Sequence, residues 1–229
     1  MNQSTDSATD LLAGLDDATL LAQLGCPAGT LGLAVGDMLA HSNRAVIDAS
    51  FDLLDLHANE AILEIGLGNG EHIAAVLDQA SGLAYTGIDL SPTMIADARR
   101  RNADLIERGQ VWLETADVAA LPFPPGAFDK AIAINTTYFW PDLGAGLKEA
   151  RRVLRDGGVL VIAAITPAAA IDQPFAAHGF AVHSDVELET ACAGAGFGQI
   201  GITRFVEPLL DPQQENGPRE FYLLRACAL

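Results

Sequence analysis

The stretch AILEIGLGNGEH, residues 61–72, decides how this chain is read. It begins as an apolar run and then breaks into glycines at alternate positions, Gly66, Gly68 and Gly70. The run has the length and composition of a buried strand. Glycine after it allows positive φ and lets backbone N–H groups approach a ligand closely. A strand entering a glycine turn and then a helix is a nucleotide-loop layout. The dinucleotide fingerprint spaces its glycines G-x-G-x-x-G. Here the spacing is G-x-G-x-G, and position 71 is Glu71. A carboxylate, Glu64, also lies inside the run. A phosphate gains nothing from it, whereas a ligand with a cationic end does.

Working outward, apolar runs at 61–65, 84–88, 111–114, 130–134 and 159–165 alternate with helical patterns near 71–78, 92–107 and 143–154. Unbroken apolar strands between helices imply a parallel sheet covered on both faces. Right-handed crossovers then make it doubly wound. One more helix after Val186 and two runs, 199–206 and 220–226, follow. The loop between those runs, 207–219, holds Pro208, Pro212 and Pro218 and suits an antiparallel hairpin. The expected fold is α/β, a doubly wound, mostly parallel seven-stranded sheet with an antiparallel C-terminal hairpin and an N-terminal helical cap.

The cap is expected over 10–57, after a disordered tail at 1–9, and the main domain over 58–229. Within the cap, Asp17 caps a short helix that the Gly25-Cys26-Pro27 turn stops. Thr30 caps a second helix reaching about His41, and a third runs from about Asn43 to Leu56. Later in the chain Ser91-Pro92 opens one helix and Asp142 another, which Gly157 and Gly158 end.

Composition narrows the function. The chain has 229 residues, half of them hydrophobic, and a formal net charge of -17. So acidic a surface repels phosphate backbones and anionic membranes, which excludes nucleic acid as a bulk partner. Cys26, Cys192 and Cys227 form neither a metal spacing nor a disulfide framework, which suits a cytoplasmic protein. The histidines lack zinc-like spacing, and no metal site is expected. The opening MNQSTDSATD does not read as a signal peptide, and no run approaches a membrane span. The Arg99-Arg100-Arg101 run sits late in a helix, where dipole and solvation account for it.

Two further stretches carry chemistry. GIDLS ends the second strand on Asp89, whose carboxylate can accept both hydroxyls of a ribose. A ribose-bearing cofactor with a cationic end and no phosphate is S-adenosylmethionine. INTTYFWPD, residues 134–142, leaves the carboxyl end of a central strand, where open α/β sheets bind ligands.

On LEIGLGNG, GIDLSPTMI, TADVAALPF, FDKAIAINTTYFW and RVLRDGGVLVI, in that order, the chain resembles the class I S-adenosylmethionine-dependent methyltransferases. The likeness covers about residues 56–165 and is similar to the small-molecule subgroup that includes the quinone-biosynthesis C-methyltransferases. The resemblance implies Glu64, Gly66, Gly68 and Gly70 around the methionine end, Asp89 on the ribose, Leu90 packing the adenine, Asp117 and Val118 beside the adenine ring, and Asn135 on the sulfonium side. Asn135 and Tyr138 have the spacing of the Asn-Pro-Pro-Tyr motif of amino-group methyltransferases, without its prolines. Tyr138 and Trp140 are the expected substrate contacts, with Tyr138, His41 and His183 as candidate bases. The expected activity is methyl transfer to a small-molecule acceptor by in-line displacement, without a metal, in a monomer or homodimer. The alternatives are a non-catalytic S-adenosylmethionine-binding module and an NAD-dependent oxidoreductase.

Overall fold

The computed structural model describes residues 15–171, 180–208 and 218–229. The expected tail at 1–9, the first part of the expected cap and Pro212 lie outside the described residues. Five strands run parallel: β1 (Ala61–Ile65), β2 (Ala84–Asp89), β3 (Val111–Thr115), β4 (Phe128–Ile134) and β5 (Leu154–Ile165). The last two, β6 (Phe197–Val206) and β7 (Glu220–Ala228), pair antiparallel, and β7 joins β5 antiparallel. The sheet order is β3-β2-β1-β4-β5-β7-β6, the expected doubly wound sheet with a terminal hairpin. The chain winds outward from β1 through β2 to β3 and returns to place β4 on the other side of β1. That reversal opens a crevice at the carboxyl ends of β1 and β4, where ligands bind in open α/β sheets.

Burial follows the pattern. Ile62 and Leu63 of β1 and Leu160 to Ala163 of β5 are fully buried, as strands covered on both faces require. The edge strand β6 instead alternates half-buried and exposed positions after a buried Phe197. α7 (Leu143–Val153) packs on the sheet through Leu147, Ala150 and Val153, all fully buried. Burying one such leucine contributes about 1.5–3 kcal/mol.

Several element ends differ from expectation. α1 (Asp17–Gly25) is capped by Asp16, whose side chain accepts from Thr19 N at 2.9 Å, one residue earlier than Asp17. α2 (Gly29–Ser42) has no side-chain cap, so Thr30 does not serve as one. Gln23 Oε1 accepts from Ala28 N at 2.9 Å and Thr93 Oγ1 from Gly29 N at 3.3 Å instead. α3 (Arg44–Leu54) and α4 (Ile73–Leu77) are shorter than their patterns. The expected helix at 92–107 is split into α5 (Pro92–Arg101) and α6 (Ala103–Glu107). Asn102 divides them, its amide donating to Gly70 O at 3.0 Å and Ala98 O at 2.9 Å. Gly157 and Gly158 do not end α7: the chain turns extended at Leu154, which pairs with Phe128, and both glycines lie inside β5. α8 (Pro167–Ala170) was not expected, and α9 (Asp185–Gly194) starts on a Ser184–Glu187 capping box.

The N-terminal helices are tied over the crevice. Ser91 Oγ donates to Pro27 O, and Arg101 binds Asp37 of α2 as well as Asp97, the latter at 2.7 Å. Lys130, buried in β4, donates to Leu54 O and Asp55 O at 3.0 Å each and holds the end of α3. Among the described residues no single helix is long and apolar enough to cross a membrane.

Candidate active site

The crevice is lined by the β1–α4 loop, the ends of β2 and β4, and α1 and α2 from above. The loop is pinned to β2 by Gly66 N and Leu67 N, which donate to Ile88 O at 2.8 and 3.1 Å. The three glycines have positive φ but different surroundings. A Cβ on Gly66 would lie 2.5 Å from Thr136 Oγ1, so this glycine lets the β4 loop approach. A Cβ on Gly68 would meet nothing within 4 Å, because this glycine faces the open cleft. Gly70 does not line the cleft: its Cβ would press Ile73 Cδ1 at 2.9 Å and Ala98 Cβ at 3.1 Å. The expected cofactor role of Gly70 is therefore corrected to close packing of α4 and α5 against the loop.

Asp89 ends β2 with both carboxylate oxygens oriented by backbone. Gly68 N donates to Oδ2 at 3.0 Å and Ser91 N to Oδ1 at 2.8 Å. Burial pushes its pKa up to about 6, with Glu64 adding same-sign repulsion and the two N–H groups pulling back. Each oxygen keeps a lone pair for a hydroxyl donor. Leu90, half exposed, presents an apolar face beside Val118. Asp117 caps a short 3-10 turn (Val118–Ala120), accepting from Ala119 N at 2.9 Å through Oδ1.

Glu64 is 2% exposed, and side chains from outside its strand satisfy it. Tyr85 donates its hydroxyl to Oε2, and His72 Nε2 lies 2.8 Å from the same oxygen. His72 rests against Phe51, ring centroids 5.7 Å apart. Burial depresses the His72 pKa, but Glu64, with Asp48 and Glu71, outweighs it and leaves it raised. Burial and the Glu64 charge hold Tyr85 protonated, well above the usual phenol range. His72 and Tyr85 were missed in the sequence. His72 falls within the helical pattern at 71–78 and Tyr85 within the run at 84–88, and nothing local to either marks a partner for Glu64.

The β4 side redistributes the expected roles. Asn135, just past the strand, has φ +53°, a left-handed conformation that asparagine tolerates. Tyr138 is buried and does not line the cleft. Its hydroxyl donates to Asn135 Oδ1 at 3.0 Å and accepts from Ile165 N. Burial also raises its pKa, so the structure takes it out of the role of base. His41 is exposed on α2 and His183 sits ahead of α9; neither lines the cleft, and both leave that role as well. Trp140 is 7% exposed, and its ring covers Gly146 of α7, where a Cβ would come within 2.6 Å of it. It is a core aromatic with one edge on the cleft. Phe139, half buried and on the cleft, was missed between two larger aromatics. Among the described residues no cluster of His, Cys, Asp or Glu is placed to hold a metal.

Residues 63–162, under half of the chain, match the family described as "Methyltransferase domain", and over them the chain is similar to methyltransferases. A 27-O-demethylrifamycin SV methyltransferase of Amycolatopsis mediterranei is 34% identical over 54% of this chain and 45% of its own length. A demethylmenaquinone methyltransferase of Thermus thermophilus is 35% identical over 59% of this chain and 58% of its own. The chain spans about half the length of the first curated relatives it matches. A solved geranyl diphosphate methyltransferase in complex with S-adenosylmethionine shares the fold, with TM-score 0.65 at 20% identity over 91% of this chain and 94% of that one.

The residues that line the crevice fit S-adenosylmethionine. The space above Gly68 accepts a ligand where a side chain would stand. Asp89 offers two oriented oxygens to a diol, and Leu90 and Val118 offer an apolar wall to a base. Both hydrogen bonds to Glu64 fall on Oε2, which leaves Oε1 for a cationic group.

Proposed function

We propose that this chain transfers a methyl group from S-adenosylmethionine to a small-molecule acceptor by in-line displacement, without a metal. The observation that carries the reading is that buried Glu64 and half-buried Asp89, at the carboxyl ends of β1 and β2, line one crevice with the open Gly68 position. The cofactor, when bound, supplies an electrophilic methyl group on a sulfonium. Asp89 accepts the ribose hydroxyls, and Glu64 balances positive charge at the methionine end. Leu90 and Val118 pack the adenine, and Asp117 accepts from its exocyclic amine. Asn135 stands on the side where the methyl points. Leu24, Pro27, Leu39 and Phe139 close the crevice and exclude water, which strengthens every polar contact inside it. Alignment of this kind can lower a barrier by roughly 7–11 kcal/mol.

The net charge of -17 argues against a nucleic-acid acceptor. Calorimetric titration with S-adenosylmethionine and, separately, NAD tests the cofactor, with binding of the first alone expected. An acceptor screen with labelled cofactor then tests transfer. Tight cofactor binding with no transfer across hydroxyl, amine and carbon acceptors would favour a non-catalytic binding module.

A further inference from the structure

Behind Asn135 the crevice continues into a second chamber, with about 490 Å³ of unfilled space including its mouth. Leu24 and Leu39 form one wall and Phe139, Phe180 and Phe221 the other, while Asn135 and Phe139 line both chambers. Phe139 and Phe180 meet edge to face at 4.9 Å, and Tyr138 stands edge-on to both, so the chamber has an aromatic wall of the kind that packs against flat rings. The cation at one end, Arg219, is not a free anion hook. Its Nε and Nη2 bind Glu207 at 2.8 and 3.0 Å, Nη1 binds Asn43 Oδ1 at 3.1 Å, and Nη2 also donates to Ser42 O. The chamber is mainly apolar: Asn43, Tyr138 and Arg219 also line it but are tied up by hydrogen bonds within the fold, and Asn135 is the polar group it shares with the crevice.

The polarity of that group is set by a chain of hydrogen bonds. Ile165 N–H can only donate, so Tyr138 Oη accepts there. The Tyr138 proton then goes to its other partner, Asn135, at 3.0 Å, and the partner atom must be the amide oxygen. Tyr138 takes one lone pair of Oδ1, and Nδ2 is the donor that Asn135 offers a ligand. A neutral amine has a single lone pair, so an amine that accepted this N–H would keep none for reaction. An oxygen can accept an N–H on one lone pair and keep another for reaction.

We propose that this second chamber is the acceptor subsite and that Asn135, polarised by Tyr138, selects an acceptor whose reacting group is an oxygen on a flat apolar ring. This rests on the methyltransferase reading and deepens it. Asn135 touches the acceptor, and Tyr138 is a positioning residue that acts through it.

The test is calorimetric titration of the full chain, saturated with S-adenosylhomocysteine, with 2-naphthol and with 2-naphthylamine. 2-Naphthol is expected to bind about tenfold more tightly, the order of one well-made hydrogen bond. Tyr138→Phe frees the amide to turn, and the preference is expected to fall to about twofold or less. Asn135→Gly keeps the left-handed backbone but removes the donor, and the preference is expected to be lost. Melting temperatures identify folded variants, and where Tyr138→Phe does not fold, Asn135→Gly carries the test alone. Equal binding of the two probes by the unaltered chain, binding of neither, or full preference retained in a folded variant overturns the proposal. Failure to bind S-adenosylhomocysteine at all overturns the methyltransferase reading instead.

Discussion

On the β1–β2 side of the cleft, the functional groups and their partners come from residues 64–91, Glu64 held by the side chains of His72 and Tyr85 and Asp89 by backbone. Asp89 takes its two hydrogen bonds from Gly68 N and Ser91 N. On the β4 side they come from segments far apart in the chain. Tyr138 reaches Ile165, and Arg219 reaches Ser42 and Asn43, 176 to 177 positions away. The first side is a short local design that tolerates little change. The second is a side-chain assembly that can vary its lining without altering the fold. A cofactor that stays the same suits the first construction, and acceptor selection suits the second.

The largest effect is expected where the local design is blocked. Gly68→Val places a branched side chain at φ +62° into the space open to the cofactor. Left-handed backbone costs a non-glycine residue about 1–2 kcal/mol, so the fold should persist while binding falls below detection. Gly70→Ala is the contrast. Its methyl meets Ile73 and Ala98, so stability should drop more than affinity. Titrations and thermal melts of the two variants separate the roles, and normal cofactor binding by folded Gly68→Val would reduce the loop to a mere turn.

Next comes the residue that belongs to neither side cleanly. Trp140→Ala removes a ring packed over Gly146, and deletion of a buried aromatic typically costs about 3–5 kcal/mol. Stability, binding and turnover should fall together. A turnover loss with an unchanged melting temperature would return Trp140 to the acceptor side.

How much could be read in advance follows the same division. The strands and Asp89 were legible because apolar runs and glycine turns are local patterns, and the doubly wound architecture followed from winding rules. Cap positions slipped wherever a distant group replaced the local one, as Thr93 does at the start of α2. His72, Phe139 and Arg219 were missed because their meaning lies in partners that the fold supplies. Tyr138 was visible as a motif residue, but nothing local indicated that Ile165 N would occupy its hydroxyl.

Asp89→Ala should weaken S-adenosylmethionine by about ten- to a hundredfold, since a hydrogen bond to a charged group is worth roughly 1.5–3 kcal/mol. Its pH dependence sharpens the point. The free carboxyl titrates at about 6, and donation from the ribose favours its ionised form. Affinity should therefore be full above pH 6 and decline as the pH falls through it. Asp89→Asn should bind weakly and without that decline. Identical pH profiles for the two proteins would remove the ribose role.

The smallest effect tests whether Glu64 is shared between the fold and the cofactor. His72→Gln keeps a donor near Glu64 but removes the charge, so the cost in stability should be about 1 kcal/mol. The sign follows from the raised folded-state pKa of His72 against 6.5 for the free group. Its contribution to stability is complete below pH 6.5 and is lost as the pH rises through the folded value. The stability gap between the unaltered chain and His72→Gln should therefore narrow toward alkaline pH. Affinity for the cofactor should move the other way. While His72 is protonated it neutralises Glu64, and once it loses the proton the carboxylate is free to balance the methionine end. A rise in affinity over the pH range where stability falls, absent in His72→Gln, would place both effects on one carboxylate. A stability change with flat affinity would make Glu64 a packing group, and the cofactor's positive charge would then need another partner on the β1–β2 side.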